Sequence, residues 1–290
     1  MAEISAQMVK ELREMTGAGM MECKKALQEA DGDIEAAVDV LRTRGLAAAA
    51  KKAGRATNEG LIVAAVAADG RSAALSEVNC ETDFVSRNEV FSTYANRVAQ
   101  AVLAADPADQ EALNAVQSEG QDIAAMITEA IQIIGENIQI SRFTWRSIET
   151  GLIASYIHAG GRLGVLVRLK TGQQATAELA EVKALAKDIA MQVAAANPAV
   201  VTRDGYPADA IEREMAIYKA QAAESGKSEE IQTKMAEGRL EKYYRETVLN
   251  EQEFVKDPDK SIKQVVEACA KAVGDQLEII GFDRFELGQS

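Results

Sequence analysis

The chain has 290 residues, which is enough for two or three domains. Its hydrophobic content is 47% but only 4% of its residues are aromatic, so the composition favours an alanine-rich, largely helical fold. The net charge of −13 argues against direct nucleic-acid binding, because such interfaces are normally basic, and it leaves open a protein partner with a basic or apolar patch.

The cysteine pattern favours a reducing, cytoplasmic location. Cys23, Cys80 and Cys269 are odd in number and widely separated, with neither metal-ligand spacing nor a disulfide framework. The sequence lacks an apolar run of about 18 residues, so no membrane span is expected. It begins with an amphipathic helix pattern rather than the apolar core of a signal peptide. We expect no cofactor and no bound metal.

Residues 1–55 are predicted to form a bundle of three short helices. Ser5 is a candidate N-cap for the first helix, and a glycine-rich turn at 16–19 precedes the second, over about 20–30. Residues 31–33 end the second helix and cap the third. Each helix has one apolar face, and residues 54–60 are predicted to be a linker.

Residues 56–150 are predicted to form the first half of a core, since the pattern changes to a period of two with β-branched residues. Strands at 61–67 and 73–78 are joined by Ala68-Asp69-Gly70, a hairpin signal. Helices over about 88–103 and 122–135 follow, and a strand at 138–145 closes the unit.

Residues 151–290 repeat this unit. Gly60-Leu61-Ile62 recurs 91 residues later as Gly151-Leu152-Ile153, and IGENI at 134–138 recurs 139 residues later as VGDQL. Shared shifts over many positions indicate a structural duplication. The growth of the shift from 91 to 139 predicts an insertion of about 48 residues in the second copy.

The insertion, at about 207–247, is predicted to be an antiparallel helical hairpin. Its apolar stripes are separated by Ser225-Gly226-Lys227, and its charges are most simply a solvated face. The stripes contain Ile211, Met215, Tyr218, Ala222, Ile231, Met235, Leu240 and Tyr244. The predicted fold class is therefore α+β, with an N-terminal three-helix bundle, a duplicated core of antiparallel strands with helices, and an inserted hairpin.

The stretch NCETDFVSR at 79–87 connects a strand to a helix and is the main candidate site. Thr82 or Asp83 can accept hydrogen bonds from free backbone amides there. Phe84 either docks on the core of its own domain or stays exposed, as in a partner-binding hot spot. The stretch aligns with residues 169–176, which lack an Asp-Phe pair, and this difference between the copies favours the partner-facing interpretation.

Two signatures carry a resemblance that covers essentially the whole chain. TGAGMMECKKAL at 16–27 and EVNCETDFV at 77–85 resemble the signatures of the bacterial elongation factor Ts family. SYIH at 155–158, GVLV at 164–167 and MAEGR at 235–239 also match, in the same order.

The resemblance implies three structural parts and one function. The parts are a ubiquitin-associated-like (UBA-like) bundle at 1–55, a core of two halves at 56–150 and 151–290, and the coiled-coil hairpin. The implied function is guanine-nucleotide exchange on elongation factor Tu during translation elongation. In this family the Asp-Phe pair, here Asp83 and Phe84, wedges into the GTPase domain near its magnesium site, and the flanking Thr82 and Val85 are expected to bind the partner as well.

The resemblance also implies two further contact regions. The N-terminal module, around Arg13, Met20 and Met21, contacts a GTPase-domain helix, and the second half, around His158, contacts another domain of elongation factor Tu. Methionines at helix starts usually pack inward, but two adjacent positions cannot both face one narrow core. One of the pair is therefore expected to be exposed.

Two other function classes stay open at this point. An enzyme is disfavoured, because His158 is the only histidine and no Ser/His/Asp or Cys/His grouping is legible in the sequence. A ubiquitin-like or RNA-binding module would leave the duplicated core unexplained. The sequence leaves the oligomeric state of the chain alone undetermined.

Overall fold

The first three helices form a bundle in the computed structural model, which describes residues 4–289. They are α1 (Ala6–Thr16), α2 (Met20–Glu29) and α3 (Ile34–Lys52), and the first three residues of the predicted 1–55 domain lie outside the described part. The Ser5 hydroxyl accepts a hydrogen bond from the Met8 amide at 3.2 Å, which confirms the predicted N-cap. The bundle core contains Val9, Leu12, Ala18, Cys23, Ala26, Leu27, Ala37 and Leu41.

The bundle is attached to the rest of the chain along α3 and the residues that follow it. The Lys52 ammonium donates to the Ile131 carbonyl at 3.3 Å, and the side-chain Nδ2 of Asn137 donates to the Arg55 carbonyl at 2.9 Å. The first strand, β1 (Glu59–Val66), begins inside the predicted linker. The linker prediction is therefore wrong at its C-terminal end, because strand pairing takes in residues 59 and 60.

The first core half contains a sheet with α-helices on one face. Antiparallel strands β1, β2 (Ser72–Cys80) and β5 (Gln139–Ser147) lie in the order β1-β2-β5. The connections hold α4 (Asp83–Ser86), α5 (Glu89–Ala105), α6 (Gln110–Ala115), the short strands β3 (Gln117–Ser118) and β4 (Gln121–Asp122), and α7 (Ile123–Ile134). Apolar side chains of α5 and α7 pack on the sheet, among them Phe91, Val98, Val102, Met126 and Ile131.

The second core half has the same layout. Strands β6 (Gly151–Ile157), β7 (Leu163–Thr171) and β10 (Leu277–Glu286) lie in the order β10-β7-β6. The connections hold α8 (Gln174–Ala177), α9 (Ala180–Ala196), α10 (Ala208–Ala223), α11 (Glu229–Thr247), β8 (Glu253–Phe254), β9 (Asp257–Ser261) and α12 (Ile262–Val273). The predicted α+β duplication is confirmed, with α5 and α7 corresponding to α9 and α12.

Backbone detail repeats with the sequence shift as well. Gly60 has φ 153° and Gly151 has φ 129°, and a Cβ at either position would overlap a carbonyl oxygen of the neighbouring strand. That oxygen belongs to Val78 in the first copy and to Leu169 in the second, again 91 residues apart. Both strands therefore need glycine at the same place.

The two sheets pack face to face, and each hairpin turn completes the edge of the other sheet. The Ile62 amide donates to the Gly161 carbonyl at 2.7 Å, and the Ile153 amide donates to the Gly70 carbonyl at 2.8 Å. The layer between the sheets is small and apolar, and contains Ile62, Ala73, Leu75, Ile148, Ile153, Leu166 and Leu287. The core is thus two half-units joined across a small apolar layer.

Helices α10 and α11 pair as the predicted antiparallel hairpin. Arg203 closes its base, with two-pronged hydrogen bonds to Glu241 and Glu251 at 2.6–2.9 Å. The Arg203 guanidinium also lies 4.2 Å from the ring centre of Tyr244. Tyr206 and Tyr243 pack beside that ring.

The apolar stripe of the hairpin ends earlier than predicted. Ile231 is 45% exposed, so its assignment to the packed stripe is wrong. Arg239 hydrogen-bonds to Gln221, two residues before the end of α10, whereas Ile231 lies eight residues earlier in α11. At about 1.5 Å per residue the first two turns of α11 run past the end of α10, and Ile231 has no facing helix there.

Candidate functional site

The candidate site is the turn between β2 and α5, which carries the short helix α4. Thr82 is the N-cap of α4, and its hydroxyl accepts a hydrogen bond from the Val85 amide at 3.4 Å. Of the two predicted capping residues, Thr82 is therefore the one that caps. Val85 is half-buried and packs against the first core half.

Glu136 holds this turn from the opposite side. Its carboxylate follows Gly135, the left-handed residue that ends α7 at φ 88°. One carboxylate oxygen accepts hydrogen bonds from the amides of Glu81 and Thr82, both at 3.0 Å. The other accepts from the Thr82 hydroxyl at 2.6 Å. Hydrogen bonds to an ionised acceptor are among the stronger ones in proteins.

Glu81 in turn contacts the residue after Glu136. Its carboxylate accepts a hydrogen bond from the Asn137 backbone amide at 2.6 Å and forms an ion pair with Arg55 at 3.3 Å. The side chain of Asn137, which is buried, reaches the Arg55 carbonyl. Residues at the end of the bundle, the end of α7 and the turn after β2 therefore form one hydrogen-bonded cluster.

Phe84 projects from the clamped turn into solvent. It is 84% exposed, the highest value for a large apolar side chain within residues 4–289. The core-anchor interpretation of Phe84 is therefore wrong. Asp83 beside it forms an exposed ion pair with Arg87 at 3.1 Å. An exposed aromatic ring on a rigid turn is typical of a protein-binding hot spot.

Cys80 lies under the turn and is unsuited to nucleophilic chemistry. Its side chain is fully buried, and its thiol donates to the Thr82 carbonyl at 3.3 Å. Burial, followed by the nearby Glu136 carboxylate, raises the pKa of the Cys80 thiol to about 12. A thiol with so high a pKa stays protonated near neutral pH and is unreactive while the turn is closed.

The second copy has the same scaffold without the aromatic ring. Helix α8 begins 91 residues after α4, and Ala175 takes the place of Phe84. Asp275 corresponds to Glu136, and its carboxylate accepts from the Gln173 amide at 2.9 Å. The neighbouring Thr176 hydroxyl, ahead of the backbone amides, lowers the pKa of Asp275 below its ordinary 3.8. The clamp is thus duplicated, but the exposed phenylalanine is specific to the first copy.

The predicted N-terminal contact residues lie where α1 ends and α2 begins. Met20 is 54% and Met21 64% exposed, and Arg13 is exposed on the last turns of α1. We expected one exposed methionine, but both are exposed, because the buried positions of α2 are Cys23, Ala26 and Leu27. The face of α2 that starts with the methionine pair points away from the bundle core.

His158 lies in the turn between β6 and β7 and is exposed. Its Nδ1 is 3.0 Å from the Tyr156 hydroxyl. The same turn contacts β1, where Arg162 forms an ion pair with Glu59. Since Glu59 pairs with Cys80 in the sheet, the His158 turn and the Phe84 turn lie at the same end of β1.

Within residues 4–289 no group of three or more His, Cys, Asp or Glu side chains is arranged to hold a metal ion. Across the same residues, none of the helices is both long and apolar enough to cross a membrane.

Sequence reasoning missed Glu136, Arg55 and Asn137, which support the site from other parts of the chain. A signal for Glu136 was present in the repeat, because Gly135-Glu136 and Gly274-Asp275 both place an acid after a helix-ending glycine. Arg55 had no comparable signal, since its role depends on where α3 packs.

Comparison with known proteins places the chain beside one set of translation factors. The family model described as Elongation factor TS matches residues 81–289, and the model described as UBA/TS-N domain matches residues 4–41. Elongation factor Ts of Desulfovibrio desulfuricans is 47% identical over 289 residues, covering 99% of both chains. Elongation factor Ts of Trichlorobacter lovleyi is 45% identical over 289 residues, and that of Clostridium perfringens is 48% identical over 287; each alignment covers 99% of this chain and 93% of the relative.

Proposed function

Since the chain belongs to the elongation factor Ts family, we propose that it is a guanine-nucleotide exchange factor for elongation factor Tu and promotes release of GDP. The observation that carries the proposal is Phe84, an exposed aromatic ring on a turn that is held by hydrogen bonds with residues 136–137 and by the ion pair between Glu81 and Arg55. Such a rigid projection loses little conformational freedom on binding, so more of the binding free energy is available for displacing groups of a partner.

In this proposal Asp83 and Phe84 act as a wedge at the GTPase domain. GDP is held there by phosphate contacts and Mg²⁺, so displacing the elements that coordinate magnesium weakens the binding of GDP. Exchange factor and nucleotide then lower each other's affinity by the same factor. The factor changes the rate of exchange without making or breaking a covalent bond, so we do not assign it an enzymatic reaction.

Two other surfaces complete the proposed interface. Arg13, Met20 and Met21 supply exposed apolar area with a cation at its edge, which suits a helix of the GTPase domain. His158 lies near the same end of β1 as the wedge and is proposed to contact a second domain of the partner. Thr82 and Val85 take part mainly by holding the wedge. We also propose the domain limits 1–55, 56–150 and 151–290, and a cytoplasmic location beside the translation machinery.

The test is release of a fluorescent GDP analogue from preloaded elongation factor Tu, with excess unlabelled GDP. We expect the chain to accelerate release in proportion to its concentration until the partner is saturated, and the released nucleotide to remain GDP. A release rate that stays at the spontaneous value under saturating chain would contradict the proposal. Conversion of the nucleotide to another product would favour an enzyme instead.

A further inference from the structure

We infer that Glu136 is a positioning residue that fixes the direction in which Asp83 and Phe84 point. This inference rests on the proposed exchange function and adds a residue outside the predicted contact set. Glu136 follows α7, 52 residues after Phe84 in sequence, yet its carboxylate spans the two residues that precede α4.

The geometry leaves few other groups to orient Phe84. Its ring is almost fully exposed, so core packing does not hold it. Its direction is set by α4, a helix of four residues that Thr82 caps at its start and Val85 packs against the first core half. Glu136 binds both the amide and the hydroxyl of Thr82, and the hydroxyl so fixed is the one that caps α4. A small displacement of the Asp83–Phe84 pair should lower the exchange rate strongly, because activity depends steeply on geometry.

The second copy separates positioning from folding. Asp275 binds the Gln173 amide in the equivalent turn, so both copies use a carboxylate to close this connection. The first copy alone carries an exposed aromatic ring beyond the clamp. Loss of either carboxylate therefore disturbs one turn of the fold, whereas only loss of Glu136 disturbs a turn that bears the wedge.

The experiment compares Glu136→Ala with Asp275→Ala in the fluorescent GDP release assay, using the full chain. We expect Glu136→Ala to lower the plateau of stimulated release about tenfold, with the half-saturating concentration changed by less than about twofold. Asp275→Ala should keep the wild-type plateau. The Glu136 contacts are only partly buried, so water can replace the carboxylate and the variant should fold. Glu136→Gln, which keeps the side-chain volume, serves if the alanine variant does not fold.

A double variant tests whether Glu136 acts through the wedge. If it does, Glu136→Ala combined with Phe84→Ala should release GDP no more slowly than Phe84→Ala alone. A second measurement reports the turn directly, since opening it exposes Cys80. Alkylation of Cys80, located by peptide mass spectrometry, should become faster in Glu136→Ala, while alkylation of Cys23 in the bundle stays unchanged.

The outcomes are distinguishable. An inactive wild-type chain would overturn the proposed function, and this inference with it. An active wild type, an impaired Phe84→Ala and a fully active Glu136→Ala would overturn this inference alone. Equal losses of exchange in Glu136→Ala and Asp275→Ala, or additive losses in the double variant, would likewise show that Glu136 has only a structural role.

Discussion

Replacing Phe84 by alanine should separate the stability of the chain from its activity. Phe84 is 84% exposed, so only about a sixth of its surface is buried. An aromatic side chain can bury roughly 200 Å². At about 25 cal/mol per Å², the stability lost in Phe84→Ala is therefore below about 1 kcal/mol.

Phe91 provides a matched control in the following helix. It is 0% exposed and packs in the first core half, so Phe91→Ala should lower the free energy of unfolding by about 3–5 kcal/mol. Urea unfolding followed by circular dichroism measures both variants. The same two residue types are exchanged in each case, so the difference reports burial.

The exchange assay should rank the two variants in the opposite order. Phe84→Ala should lower stimulated GDP release at least about tenfold, which corresponds to about 1.4 kcal/mol of lost barrier reduction. Phe91→Ala should retain release at temperatures where it is folded. Wild-type exchange by Phe84→Ala, together with a strongly lowered melting temperature, would refute the wedge and restore the anchor.

Further predictions concern other parts of the chain. Deleting residues 4–50 should leave a folded core that binds elongation factor Tu poorly; unchanged affinity by calorimetry would contradict it. Replacing 212–238 by a short Gly/Ser loop should preserve cooperative unfolding, because the base of the hairpin is kept. Arg203→Ala should lower stability by about 1 kcal/mol, as for partly exposed charge networks, and increase hydrogen exchange near Glu241. Asp275→Asn should be less stable than wild type at pH 7. The difference should begin to shrink as pH approaches 3.8, the ordinary pKa, and vanish once pH falls below the depressed pKa of Asp275 in the folded chain, because both forms of the residue are then neutral.

Local patterns gave the elements and their order with few errors. The period-two strands, the helix stripes and the constant shift of 91 residues were enough to predict a duplicated α+β core, because each depends on sequence neighbours or on self-comparison. The short elements were missed, since each has six residues or fewer and little apolar periodicity; they are α4, α6, α8, β3, β4, β8 and β9.

The errors arise where packing between segments decides the outcome. Ile231 fits a helical stripe, but its exposure depends on where α10 ends relative to α11. Met20 and Met21 are apolar, but the bundle is already filled by Cys23 and its neighbours. For Phe84 the difference between the two copies correctly predicted an exposed side chain, whereas residue type alone favours burial.

The paired hydrogen bonds between the hairpin turns have a consequence for how the two halves acquired different roles. Ile62 contacts Gly161 and Ile153 contacts Gly70, so residue i of one half meets residue j of the other and the reverse also holds. That is the pattern of an isologous interface with two-fold symmetry, as found in homodimers. The core is therefore organised like the two subunits of a homodimer joined in one chain. Covalent linkage keeps the symmetric contact while the subunits diverge, so one half can carry Phe84 and the other a hairpin without either change being imposed on both.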